Sequence, residues 1–253
     1  MPPLLLIHGM WGRPSTFAQL APELEAAGIA SIAPALPFHD IPPGAPAPAE
    51  LARMGLADYV AAIQSVAATL PEPPVLLGHS MGGLIAQLAA PAVGPRGLIL
   101  LATAPSAQTL APSLAQMRTL RRVTLRWGWW KAPTLPDADA ARYGVFNGVS
   151  EAETAAGIAE LTWDSGRVLA KIALPFLDSA NSSRVAYDRL TMPALVLFGS
   201  QDRIATAATS RGTARRLRGR VDFEEWPDCG HWFFHDRIRP RLAERIARFL
   251  ASL

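Results

Sequence analysis

Short, predominantly apolar runs alternate with helix-forming stretches along this chain, and that alternation restricts its fold more than any other feature. The runs are residues 4–7, 29–36, 75–77, 98–101 and 194–198, with a more mixed one at 221–226. Apolar runs of this length bounded by Gly or Pro suit strands covered on both faces. Between them, Phe17, Leu20, Leu24 and Ala27 recur at helical spacing before Gly28. Residues 56–70 repeat the pattern up to Pro71, Leu84, Leu88 and Ala92 follow the third run, and Leu242, Ile246, Phe249 and Leu250 form a last amphipathic stretch. Strands alternating with helices predict an α/β fold with a parallel sheet covered on both sides.

The rhythm breaks between Ala104 and Leu190. That segment lacks a convincing strand and reads as helices over 112–126, 137–146, 151–163 and 166–177, with four of the seven Trp. Its place between the fourth and fifth strands makes it an insertion, so residues 1–103 and 191–253 form one core and 104–190 a second layer. A length of 253 residues fits one large domain with an insertion. Residues 37–48 form a separate Pro-rich loop, expected to be stiff and to expose His39.

Chemistry concentrates after the third strand. Gly78-His79-Ser80-Met81-Gly82 is a Gly-X-Ser-X-Gly pentapeptide between a buried strand and a helix. A strand-to-helix elbow forces its central residue into a strained conformation, and small neighbours allow the sharp turn. Ser80 Oγ is then lifted above the sheet, and the first amides of the helix point at developing negative charge. A serine hydroxyl needs a base, and the base needs an orienting carboxylate. Asp202 follows the fifth strand and His231 the sixth, which completes a Ser80, Asp202, His231 order.

Rivals exist for each role. His235 lacks the preceding Gly that a tight loop favours, and Asp228 lies only three residues from His231. His8 and His79 have no acid partner at a strand end and read as structural or pocket-lining. In the loop after the first strand, His8-Gly9-Met10-Trp11-Gly12, Gly9 allows an unusual turn. The Met10 amide, or less favourably that of Trp11, can then join the Met81 amide around an oxyanion. Trp11, His79, Trp129, Trp130 and Trp232 are candidates for the substrate pocket, although clustered Trp in a helical insertion also suits its own core. Cys229 reads as a small buried hydrophobe beside the base.

With HGMWG, GHSMGG, FGSQD and CGHW in this order over nearly the whole chain, the sequence resembles the α/β-hydrolase superfamily. The resemblance implies that fold, with a helical cap over the site at the position of the 104–190 insertion. Many members carry an antiparallel hairpin before the first strand seen here. That strand starts at Pro3, so a six-stranded, all-parallel sheet is expected, ordered 2-1-3-4-5-6. Members that are epoxide hydrolases or haloalkane dehalogenases carry Asp where this chain has Ser80. The similar plant hydroxynitrile lyases carry Lys where it has Trp232.

The expected activity is cofactor-free hydrolysis of carboxylic esters. Lactones, thioesters, C–C bonds and acyl transfer share the same triad, and a non-catalytic receptor on the same fold is the other class. A lone Cys and the lack of HExxH, Walker or Rossmann patterns give no expected metal or cofactor site. The net charge is +3, and ten Arg lie between Arg211 and Arg248 among six acids, so no nucleic-acid footprint is read. The expected partner is a small-molecule acyl substrate, without stable membrane insertion. A single Cys and no signal-like start point to the cytoplasm, and the oligomeric state is not legible.

Overall fold

The computed structural model describes residues 1–253. Its main sheet is built from β1 (Leu4–Ile7), β2 (Ser31–Ile32), β3 (Val75–His79), β4 (Gly97–Leu101), β7 (Ala194–Gly199) and β8 (Val221–Trp226). The spatial order is β2-β1-β3-β4-β7-β8 and every pairing is parallel, the topology expected from the sequence. The second strand is far shorter than its apolar run, because only two of its residues pair with β1.

The central strands are apolar, save His79 at the end of β3, because both faces are covered. Leu4, Leu6, Leu77, Ile99, Leu195 and Leu197 pack on one side with α1 (Leu20–Ala26) and α9 (Arg239–Ala251). Leu5, Ile7, Leu76, Leu98, Leu100 and Val196 pack on the other with α2 (Leu56–Ala68) and α3 (Met81–Val93). Alternate residues of one strand thus feed two cores. The mixed β8 is an edge strand. Its Asp222 and Glu224 hold Arg245 of α9 at 2.9 Å and 2.5 Å, so charge replaces apolar burial there.

Between β4 and β7 the chain forms α4 (Leu114–Thr124), α5 (Ala138–Gly144), α6 (Glu151–Ala159) and α7 (Gly166–Ala173). Ser113, Asp137, Ser150 and Ser165 each accept an amide hydrogen bond at their starts, which satisfies donors a helix leaves unpaired. The expectation of a strand-free segment is corrected. Pro133–Thr134 (β5) and Asp164–Ser165 (β6) form a two-residue antiparallel pair, too short to leave an apolar signature. A further helix, α8 (Ala207–Ala214), was not foreseen; its start is marked by Thr206, whose hydroxyl accepts the Thr209 amide at 3.2 Å.

Candidate active site

Ser80 stands between β3 and α3 with φ 53° and ψ −120°, a conformation that costs a non-glycine residue about 1–3 kcal/mol. Three backbone hydrogen bonds hold it there. Ser80 N–H donates to Leu101 O at 2.9 Å, and Ser80 O accepts from Gly83 and Ala104 at 2.9 and 2.8 Å. The flanking glycines are required by space. A Cβ on Gly78 would overlap the Gly82 carbonyl, and one on Gly82 would overlap the Ile7 carbonyl. Gly9 also serves by its size, since a Cβ there would sit 3.0 Å from Ser80 Cβ. The unusual turn expected at Gly9 falls instead on Trp11, with φ 61°.

Asp202 and His231 meet across the ends of β7 and β8. His231 Nδ1 lies 2.8 Å from Asp202 Oδ2, and both side chains are buried. Asp202 Oδ1 accepts the amides of Ile204 and Ala205 at 2.7 and 2.9 Å, which fixes the carboxylate plane. An Nδ1–H donated to a carboxylate leaves Nε2 of a neutral ring as an acceptor. His79 supports the same loop. Its Nε2–H donates to His231 O at 2.9 Å, which also sets its tautomer. Burial and then the His231 charge push the His79 pKa down to about 3, so this ring stays neutral.

The rival residues are engaged elsewhere. Asp228 pairs with Arg241 at 2.8 Å on the surface. His235 is buried without a carboxylate ion-pair partner, and burial lowers its pKa. Cys229 is fully buried, and burial followed by Asp202 and Asp228 pushes its thiol up to about 12. The Trp11 amide donates to Asp164 Oδ2 at 3.1 Å, which removes it from the competition with Met10. Met81 is the first residue of α3, where an amide has no partner inside the helix.

Ser80, His231, Met10 and Met81 line one cavity of about 670 Å³. Trp11, His79 and Trp232 also border it. Leu120 of α4, Leu161 after α6 and Ile172 of α7 supply apolar wall from the inserted segment. Trp129 and Trp130 do not. The turn at Trp129–Lys131 directs them to a separate cavity with Arg167 and Leu174, and Trp129 packs with Trp11, Val123 and Leu169. Their assignment to the substrate pocket is corrected accordingly. The expectation for His39 is also corrected. It is fully buried, with Nε2 3.1 Å from Asp164 Oδ2 and its ring against His8 and Tyr59 of α2, although Asp40, Pro42, Gly44 and Pro46 of the same loop are exposed.

No helix is long and apolar enough to cross a membrane. The profile of a family described as "Alpha/beta hydrolase family" matches residues 4–245. Similar solved structures include a methylesterase from Arabidopsis, 14% identical over 100% of both chains with a TM-score of 0.74. A pyrethroid hydrolase from Sphingobium faniae JZ-2 is 22% identical over 99% of this chain and 98% of that chain, with a TM-score of 0.72. A monoacylglycerol lipase from Paleococcus ferrophilus is 20% identical over 98% of this chain and 93% of that chain, with a TM-score of 0.68. At such identities the likeness is one of fold. No curated protein matches the chain.

Proposed function

The chain belongs to the alpha/beta hydrolase family, and from that premise we propose that it is a cofactor-free serine hydrolase of small, mainly apolar carboxylic esters. The observation that carries this reading is the strained Ser80 elbow sharing a cavity with a buried, hydrogen-bonded Asp202–His231 pair. His231 Nε2 takes the Ser80 proton as Oγ adds to the acyl carbonyl. Asp202 keeps the ring in the productive tautomer and stabilises its cation. The Met10 and Met81 amides receive the oxyanion. Collapse expels the alcohol, which takes the proton from His231. Water, activated by the same ring, then releases the acid and restores Ser80.

The cavity supports the substrate class. Pockets of about 300–1,000 Å³ suit drug-sized molecules, and this one, about 670 Å³, falls within that range. Three carboxylates at its border have local partners. Glu153 accepts from Ser150 Oγ at 2.6 Å and from the Asp236 amide at 2.8 Å, Glu160 accepts from Ser15 at 2.9 Å and faces Arg13 at 3.4 Å, and Asp236 pairs with Arg239 at 2.7 Å. Little free charge is left to attract an ionic acyl group. Residues 104–190 then act as a cap over the core of 1–103 and 191–253. The names of the structural neighbours above, a methylesterase, a pyrethroid hydrolase and a monoacylglycerol lipase, agree with ester cleavage.

Hydrolysis of p-nitrophenyl acetate and butyrate by the protein and by Ser80→Ala tests the reading, together with fluorophosphonate labelling. Turnover and labelling that both vanish in Ser80→Ala support it. Equal rates in the two proteins reject it. A folded protein that never labels favours a non-catalytic binder.

A further inference from the structure

The loop that carries Met10 is clasped by the inserted segment. Trp11 is the joint, with a left-handed backbone that a bulky residue adopts only when its surroundings impose it. Three hydrogen bonds run from it to the strand pair β5–β6 and the residues leading into it. Trp11 N–H donates to Asp164 Oδ2 at 3.1 Å, Thr162 N–H donates to Trp11 O at 2.9 Å, and the indole N–H donates to Thr134 Oγ1 at 3.3 Å. Thr134 in turn donates to Asp164 O at 3.3 Å.

Asp164 is the centre of this clasp and is absent from the catalytic cavity's wall. Its carboxylate is fully buried and surrounded by donors from four parts of the chain. Besides the Trp11 amide, Oδ1 accepts from Tyr59 Oη at 2.8 Å and from the Ser165 amide at 2.6 Å. His39 Nε2 lies 3.1 Å from Oδ2, with its N–H not aimed squarely at the oxygen, so the contact is an ion pair more than an aligned hydrogen bond. A buried carboxylate without such partners would cost several kcal/mol, on the order of its desolvation. That outlay is unexplained by packing alone, since an apolar residue would fill the space without it.

We propose that Asp164 is a positioning residue for catalysis: it fixes the Trp11 amide, and through that peptide aims the adjacent Met10 amide at the oxyanion, with His39 as its buried countercharge. The inference rests on the serine-hydrolase reading above. The amide of Met10 and that of Trp11 bracket one residue, so a change in the Trp11 peptide plane reorients the Met10 donor directly. An error of about 1 Å in such a group can cost about a hundredfold in rate. The electrostatics agree. Burial alone would raise Asp164, yet His39, Tyr59 and the Trp11 amide hold it below the ordinary carboxylate value. Burial and then the His39 charge push the neighbouring His8, 5.0 Å away between ring centres, down to about 3. The inserted segment therefore contributes to the chemistry through the loop beneath it as well as through the pocket wall.

The test uses the full chain after Ser80→Ala has established serine-dependent ester hydrolysis; equal rates in that comparison reject the parent reading and this proposal with it, whereas an Asp164 variant without a defect rejects this proposal alone. Asp164→Asn is then compared with the wild type on p-nitrophenyl acetate and with a trifluoromethyl ketone. In the ketone adduct, Ser80 Oγ bonds to the carbonyl carbon, its proton passes to His231 Nε2, and the C=O π pair moves onto the oxygen, which becomes the oxyanion. We expect kcat to fall about 10- to 100-fold with KM changed less than threefold, and ketone affinity to fall by the same factor as kcat/KM. Unchanged kcat, or a loss that merely follows the unfolded fraction, overturns the proposal. If Asp164→Asn does not fold, Thr134→Val removes the indole acceptor together with the weak donor to Asp164 O, and leaves the Asp164 carboxylate in place. A kcat loss of about two- to fivefold at constant KM supports the clasp, given the modest worth of one neutral hydrogen bond, and an unchanged kcat overturns it.

Discussion

Two buried aspartate–histidine pairs lie in this molecule, and their surroundings give them different work. Asp202–His231 and Asp164–His39 have similar separations, 2.8 and 3.1 Å, and both carboxylates are fully buried. His231 borders the cavity that also holds Ser80, and its Nδ1 is aligned on the acid. His39 has no such outlet. It sits between His8, at 5.0 Å, and Tyr59, at 5.4 Å, with its Nδ1 held by Pro37 O at 2.9 Å. A paired histidine becomes a base only where its second nitrogen can reach a substrate. Where both nitrogens are occupied, the same pair can serve only to hold charge and shape.

The largest expected effect breaks the first pair from the proposed nucleophile, Ser80. His231→Ala should lower kcat on p-nitrophenyl acetate by about 10⁴- to 10⁶-fold, as removal of a triad base does elsewhere. Asp202→Asn should follow with about 10⁴-fold, because Asn stabilises the wrong tautomer. The amides of Ile204 and Ala205 would still hold its side chain, so the fold should survive. Steady-state rates with circular dichroism check both. A loss under tenfold for either variant would place the chemistry elsewhere.

The second pair should show itself in stability. Burial lowers an imidazole pKa, but the Asp164 carboxylate outweighs this and holds His39 above 6.5. The sign follows from linkage. A group with a raised folded pKa contributes fully below its unfolded value and loses that contribution as pH rises through the folded value. Denaturant midpoints of the wild type should therefore decline on the alkaline side of 6.5. In His39→Gln that decline should shrink, and the variant should be less stable at pH 6 by about 3–5 kcal/mol, as when one partner of a buried ion pair is removed. Parallel pH profiles in the two proteins would show that His39 carries no charge in the fold.

Much of this difference was illegible in the sequence, for identifiable reasons. The sheet was readable because its strands are apolar on both faces, so length and Gly or Pro boundaries sufficed. The positions of Ser80, Asp202 and His231 were readable because each follows a strand that an apolar or mixed run marks. His39 was not, since a Pro-rich loop looks solvent-exposed and its partner Asp164 comes from a distant two-residue strand. Trp129 and Trp130 were on the right segment, but composition cannot say which side of a wall a ring faces. Helix α8 has no apolar stripe, and only the Thr206 cap marked it.

The Trp129 position sharpens the contrast between wall and support. Its ring is largely buried with Trp11 and Leu169, behind the loop that bears Met10. Trp129→Ala should destabilise the protein by about 3–5 kcal/mol, read as a lower denaturant midpoint. Its preference between acetate and butyrate esters should stay unchanged, because the ring does not border the Ser80 cavity. A shift in chain-length preference would return Trp129 to the substrate pocket.

The smallest effect is expected at Cys229, two residues before the proposed base. Only a thiolate attacks an alkylating agent, and a thiol whose pKa is pushed up to about 12 is almost wholly protonated at neutral pH. The side chain is also fully buried, and Cys229 O accepts the Gln201 amide at 3.0 Å, tying the His231 loop to the Asp202 loop. Its contribution to the site is thus volume and backbone direction. Incubating the native protein with iodoacetamide at pH 7 should leave ester hydrolysis within about 10% of the untreated rate and add no mass, since burial blocks access and protonation blocks attack. Alkylation should become complete once the chain is unfolded in denaturant. Rapid labelling of the native protein with loss of activity would mean that the loop holding His231 opens, and that Asp202 and His231 are less firmly paired than His39 and Asp164.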